Sequence, residues 1–329
     1  MMYKQLKIKL LVIVLLAGIV FSGFTQTIPD LKDLQNGVAD FSKELAKTLP
    51  FNSSLGLNWS DAYIGKLIPS APPHFGIGAS FGFTTMNLPV MNDLMENFGY
   101  SIPFDIGKMI LPAYAAEVRI GGIILPFDVG VKFGYLPQLG VWGKNMDFDY
   151  LLVGGDLRYK LVDLKILKIS LGVGVNHLKG SIIGKVGSSQ EIDFGTESIT
   201  LSNPEVKLQW QTTSLDFKAQ ASFHFIVITP YVGLGASAAW SKAGYSVDAK
   251  IESSSGDIQD AIDYVNSLGL KGIDLSGKGM ESIIKNNAFS IRAFGGLSLN
   301  LALFRIDLTG LYSFRDKNFG ASVGLRFQL

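Results

Sequence analysis

The fold predicted by this sequence is all-β: a closed antiparallel transmembrane β-barrel of about 12 to 14 strands, with an N-terminal amphipathic helix and helical extracellular loops. Three observations predict it. Long segments alternate apolar and polar residues with period two. Tight reversals such as 160–164 and 313–318 take turns with long connections at 85–111, 137–146, 180–200 and 252–286. Beyond residue 25, no stretch approaches the ~18 to 20 unbroken apolar residues of a membrane helix. In hydrocarbon the backbone must satisfy its own hydrogen bonds, so without such helices only a closed barrel can span.

The chain begins with Lys4, Lys7 and Lys9 ahead of the apolar run Leu10–Val20 and the small residues Ser22 and Gly23. This pattern predicts a secretory signal peptide over residues 1–25. With no cysteine among the 329 residues, a lipoprotein anchor, disulfides and cysteine metal sites are excluded. Residues 26–50 form the next unit. Leu31, Leu34, Val38, Phe41 and Leu45 recur at spacings of three and four, giving a helical stripe that stops before Pro50. This helix could plug the lumen, lie on the periplasmic rim or pack as a soluble appendage. Residues 76–84 favour the plug, because their inward face (Gly76, Gly78, Ser80, Gly82) is nearly bare and leaves room for it.

Residues 51–329 are predicted to build the barrel. Leu215, Phe217, Ala219 and Ala221 oppose Asp216, Lys218, Gln220 and Ser222, and the same rule holds in about a dozen segments. A soluble β-sandwich also alternates, but its strands average about five or six residues, whereas these runs last about 10 to 15. A weak first strand around 55–67 gives about 12 crossings, and splitting 181–201 gives 14. The inward charges have mixed sign: Arg119, Lys132, Arg158, Lys218, Arg292, Arg305 and Asp307 sit among Glu117, Asp128, Asp156 and Asp216. Opposite charges two positions apart point to internal pairing and a narrow channel rather than a single-sign selectivity ring. The last strand alternates Phe319, Leu325, Phe327 and Leu329 against Gly320, Arg326 and Gln328. It resembles the closing signal read by the barrel-insertion machinery of bacterial outer membranes.

Two long connections carry many large apolar residues. Leu94, Met95 and Phe98 lie in the first, and Ile258, Ile262 and Val265 in the second. Adaptable, Met-containing apolar loops suit a flexible hydrophobic ligand, or a lid in which the two loops pack on each other. Taken together, the N-terminal helix, the barrel and these loops resemble the long-chain fatty-acid transporters called FadL-like. There an N-terminal hatch plugs a 14-stranded barrel, and apolar helices in long loops capture the substrate. The resemblance implies a hatch at 27–50 and capture loops at 85–111 and 252–286. The stretch Gly56–Gly65 follows the hatch without that family's Asn-Pro-Ala tripeptide, so no binding residue carries over.

The expected role is uptake of a hydrophobic or amphipathic small molecule across the outer membrane of a diderm bacterium, gated by the N-terminal plug. The alternatives are a general diffusion porin and a surface-exposed structural or adhesive barrel. An enzyme is not expected. Only His74, His177 and His224 are available as imidazole bases, and no serine and carboxylate are placed by sequence to complete a triad. No cofactor or metal motif is present. The expected partners are outer-membrane lipid, the insertion machinery and the hydrophobic molecule. A net charge of +1 gives no reason to expect nucleic acid.

Overall fold

The structure is a computed structural model describing residues 31–68, 70, 73–87, 108–123, 125–139, 146–185, 190–193, 198–253, 274–275 and 279–329. Its wall strands are β1 (Phe75–Asn87), β2 (Lys108–Gly121), β3 (Phe127–Leu139), β4 (Met146–Asp163) and β5 (Leu167–Lys185). After the short arm β6 (Gln190–Asp193) come β7 (Ser198–Phe223) and β8 (Ile228–Ser253). The short arm β9 (Asp274–Leu275) precedes β10 (Gly279–Leu301), β11 (Phe304–Ser313) and β12 (Phe319–Gln328). Every pairing is antiparallel. The ring runs β1–β2–β3–β4–β5–β7–β8–β10–β11–β12 and closes where Gly76 to Thr84 pair with Gln328 to Gly320.

The barrel therefore has ten strands among the described residues, not 12 to 14. Residues 55–67 are not in the wall at all, although their alternation mimics a strand. The 181–201 region adds no crossing, because β6 only folds back on the extension of β7. Residues 122–123 with 125–126, and 164–166, 224–227 and 302–303, lie in the short turns at one end. Both β1 and β12 also terminate at that end. The long connections lie at the other end. Most of their residues, with the expected capture residues Leu94, Met95, Phe98, Ile258, Ile262 and Val265, lie outside the described residues, as does the expected signal peptide over 1–25.

The outer surface carries an exposed apolar belt, from Phe81 on β1 through Phe217 on β7 to Val323 on β12. Phe81 is 63% exposed and Val232 56%. A continuous belt of this kind on a closed ring is stable only against lipid.

Helix α1 spans Leu31–Ser53, with described side chains from Asp40 onward. It passes through Pro50 rather than stopping before it. Proline removes an N–H and costs a helix interior about 3 kcal/mol. Here the surroundings offset that cost. Phe51 is buried, the Ser53 hydroxyl donates to the Pro50 carbonyl at 2.9 Å, and Asn52 donates to Thr84 Oγ1 and to the Leu111 carbonyl on the wall.

Candidate functional site: a lumen in two levels

The inward positions of the wall change character along the barrel axis. Toward the long connections the large buried side chains are apolar or aromatic, Met86, Leu111, Tyr150, Leu152, Leu178 and Trp210, with small hydroxyls such as Thr84, Thr212 and Ser241 between them. Toward the short turns they are charged. Arg119, Arg158 and Arg326 are fully buried there, with Asp128, Asp156 and Asp307 beside them, while Arg292 and Asp216 pair higher in the wall. The chain from Phe41 to Ile64 fills both levels, and every residue from Thr48 to Ile64 is buried.

In the upper level α1 contributes Phe41, Leu45 and Leu49, continued by Phe51 and Leu55, to one apolar cluster with the wall. The Tyr114 and Tyr150 rings stack at 4.9 Å, and Phe148 approaches Trp210 at 6.3 Å. Each of these five inserted side chains gains ~1.5–3 kcal/mol on burial, so the helix face is held by roughly 10 kcal/mol of apolar contact. Phe41 and Leu45 belong to the predicted stripe. Leu31, Leu34 and Val38 lie in the helix, but their side chains are not among those described.

In the lower level residues 54–64 have no regular secondary structure, and the wall supplies the hydrogen bonds that a helix or sheet would have given them. Lys132 donates to the carbonyls of Ser53 and Leu55, at 2.7 and 2.5 Å. Gln220 donates to the carbonyls of Trp59 and Ser60, the Tyr231 hydroxyl to that of Asn58, and Arg158 to that of Asp61. In return the N–H groups of Ser60, Ala62 and Ile64 donate to Asp307, Ser222 and Asp128. The Trp59 ring fits the bare inner face of β1: a Cβ on Gly76 would lie 2.8 Å from it. The guanidinium carbons of Arg119 and Arg326 stand 5.6 and 4.7 Å from the same ring. Its indole N–H donates to Glu117 at 2.6 Å.

The charges pair between strands rather than between neighbours two positions apart. Arg119 bridges Asp128 and Asp156 at 2.5 and 2.6 Å, Arg158 holds Asp128, Arg292 holds Asp216, and Lys218 pairs with Asp156. Arg326 reaches both Asp307 and Asp61. Asp61 is the member that sequence reasoning missed. It comes from the inserted segment and receives Arg305 at 2.7 Å and Arg326 at 2.9 Å. The only signal in the sequence was an acid inside a supposed strand otherwise lacking charge until Lys66.

The three histidines do not converge. His74 meets the Leu329 carbonyl, and His177 meets Thr213. His224 does acquire a serine and an acid, with Nε2 at 3.2 Å from Ser222 Oγ and Nδ1 at 3.4 Å from Asp61. As a hydrolytic triad this set is poorly disposed. Ser222 is fully buried, its Oγ already accepts the Ala62 N–H, and Asp61 is shared between two arginines.

At the closing seam Phe319 and Leu325 are exposed on the outer face, and Phe327 packs between Phe75 and Phe304. Leu329 lies one residue past the strand, and its N–H donates to the Phe75 carbonyl.

A closed ring with an apolar outer belt and a filled polar interior defines a transmembrane β-barrel. The chain belongs to the Lsa36-like family, whose model matches residues 75–329, the whole of the wall. No curated protein matches it. Among solved structures it is similar to the outer membrane protease OmpT from Escherichia coli, at 9% identity over 82% of this chain and 100% of that one, with a TM-score of 0.42. It is also similar to the translocator domain of the autotransporter NalP from Neisseria meningitidis (9% identity, 90% and 98% coverage, TM-score 0.33). A third is Ail, the attachment invasion locus protein of Yersinia pestis (9% identity, 78% and 97% coverage, TM-score 0.29).

Proposed function

We propose that this protein is an outer-membrane barrel that takes up a hydrophobic or amphipathic small molecule, with α1 as the gate. The observation that carries this reading is the apolar upper lumen. Around Tyr150, Leu152, Leu178 and Trp210 the wall is apolar, and Phe41, Leu45 and Leu49 of α1 occupy it through non-directional contacts that an apolar ligand can replace. Residues 54–64 block ions independently of the helix, so capture above and passage below are separate steps. Outer-membrane lipid covers the belt, and the insertion machinery reads Phe319, Leu325 and Phe327 on the last strand.

The test combines two measurements on the folded protein. In a planar bilayer the full chain should give no steady conductance, and large steady openings would favour the diffusion porin instead. Deleting residues 31–53 should raise binding of an apolar fluorescent probe such as N-phenylnaphthylamine and quench or shift Trp210 emission. Unchanged probe binding would remove the gate.

A second reading, a sealed surface-exposed structural or adhesive barrel, is favoured by the lower level, whose inserted backbone is bonded to the wall along its length. An enzyme is not proposed. A fluorophosphonate should leave Ser222 unlabelled, and labelling there would reverse that.

A further inference from the structure

We infer that the chain is threaded through its own barrel, so that the amino end of α1 faces the exterior of the cell while residues 64–68 emerge at the periplasmic end. The inference holds whether or not the barrel transports anything, because it rests on how the inserted segment descends. Asn318, in the connection between β11 and β12 at the long-connection end, donates to Thr48 at 3.3 Å. Asn52 then bonds Thr84 and Leu111, three residues inside the ends of β1 and β2 at that same rim. Ser53 meets Ser214, and Lys132 takes the Ser53 and Leu55 carbonyls at mid-height. Asp61 lies lower, at Arg305 and Arg326, beside the start of β11 and the end of β12. Finally, the Leu67 N–H donates to the Gly122 carbonyl in a short turn.

The descent is monotonic, so the helix points upward from Ser53 toward its amino end. The 13 residues back to Asp40 rise ~20 Å at 1.5 Å each. The wall beside Thr84 continues for only three residues, or ~10 Å along the strand. Asp40 therefore stands above the β1–β12 rim, and it is exposed, as is Lys43. Above that rim α1 leans on the tall strands β7, β8 and β10, where its contacts concentrate. In outer-membrane barrels short turns face the periplasm and long connections face out. The exposed end of the gate is thus presented to molecules arriving from outside, and its other end is anchored below.

Because the chain has no cysteine, single-cysteine variants report directly. Asp40→Cys, Lys43→Cys and, in the short turn after β4, Lys165→Cys should each be expressed in a diderm host. Folding is checked by mobility without heating, and intact cells are treated with a membrane-impermeant maleimide. The expected result is that Asp40→Cys and Lys43→Cys label in intact cells to at least 10-fold the level of Lys165→Cys. Lys165→Cys should reach comparable labelling once the outer membrane is permeabilised. Any pattern in which folded Asp40→Cys and Lys43→Cys fail to label ahead of Lys165→Cys overturns the inference.

Discussion

The upper and lower levels of the lumen hold the same inserted segment by opposite physics. Above, the contacts of Phe41, Leu45 and Leu49 with Tyr150 and Trp210 are apolar and non-directional, so one hydrophobic surface can replace another at little cost. Below, Asp61 is held by Arg305 and Arg326, the Trp59 indole by Glu117, and the carbonyls of Ser53, Leu55, Asn58, Trp59, Ser60 and Asp61 by side chains of the wall, so losing a charged member leaves its buried partner under-compensated. The upper level is therefore exchangeable and the lower one is all-or-none. Between them the backbone turns at Gly56 and Leu57, with φ of 83° and 56°. A Cβ on Gly56 would lie 3.0 Å from the Lys132 side chain and 3.1 Å from Glu117, a tight fit at a φ that favours glycine.

The largest expected effect comes from breaking the lower level. Asp61→Ala takes the carboxylate from Arg305 and leaves Arg326 with Asp307 alone, and it should cost about 3–5 kcal/mol, seen as ion leakage in a bilayer and a lowered unfolding temperature. Leu45→Ala, in the upper level, should cost about 2–5 kcal/mol of thermal stability without opening a conductance. If it leaks as Asp61→Ala does, the two levels are one unit. Gly76→Ala pushes a methyl into the Trp59 ring and the Phe327 carbonyl and should cost about 1–3 kcal/mol. Normal stability in that variant would mean that Trp59 can shift freely.

The smallest effect is that of pH. His224, in the short turn after β7, has a folded value below its ordinary one, because burial prevails over the Asp61 carboxylate. A depressed value means the inserted state binds protons less readily than the released one, so its stability is present above the ordinary value and is lost as pH falls. Loosening should begin as pH drops below the ordinary histidine value of 6.5. A leak that increased toward alkaline pH would contradict this assignment.

Much of the wall was legible because the outer face obeys a single rule: Phe217, Val232 and Val323 must meet lipid wherever they stand. The strand number was not legible. Leu55, Leu57 and Trp59 alternate as a wall strand does, but both faces of this segment are buried, which no period-two pattern reveals. The helix stripe at Phe41 and Leu45 was readable, whereas its passage through Pro50 depends on the wall around Asn52. Inward charges such as Arg119 and Arg326 were readable as a set. Their partners were not, because Asp61 and Arg326 lie far apart in sequence and meet only when the ring closes.

That closure has a consequence for how the protein is made. The seam joins β1 to β12, the first and last strands of the wall, so the final pairing carries the highest contact order in the molecule and forms slowly. Residues 54–64 immediately precede β1, and through Asp61, Ser60 and Trp59 they offer Arg305, Asp307 and Arg326 a place to dock before β12 reaches β1. A segment so placed can serve as a mandrel for the last two strands, and Asp61→Ala should then slow closure of the seam as well as loosen the closed state.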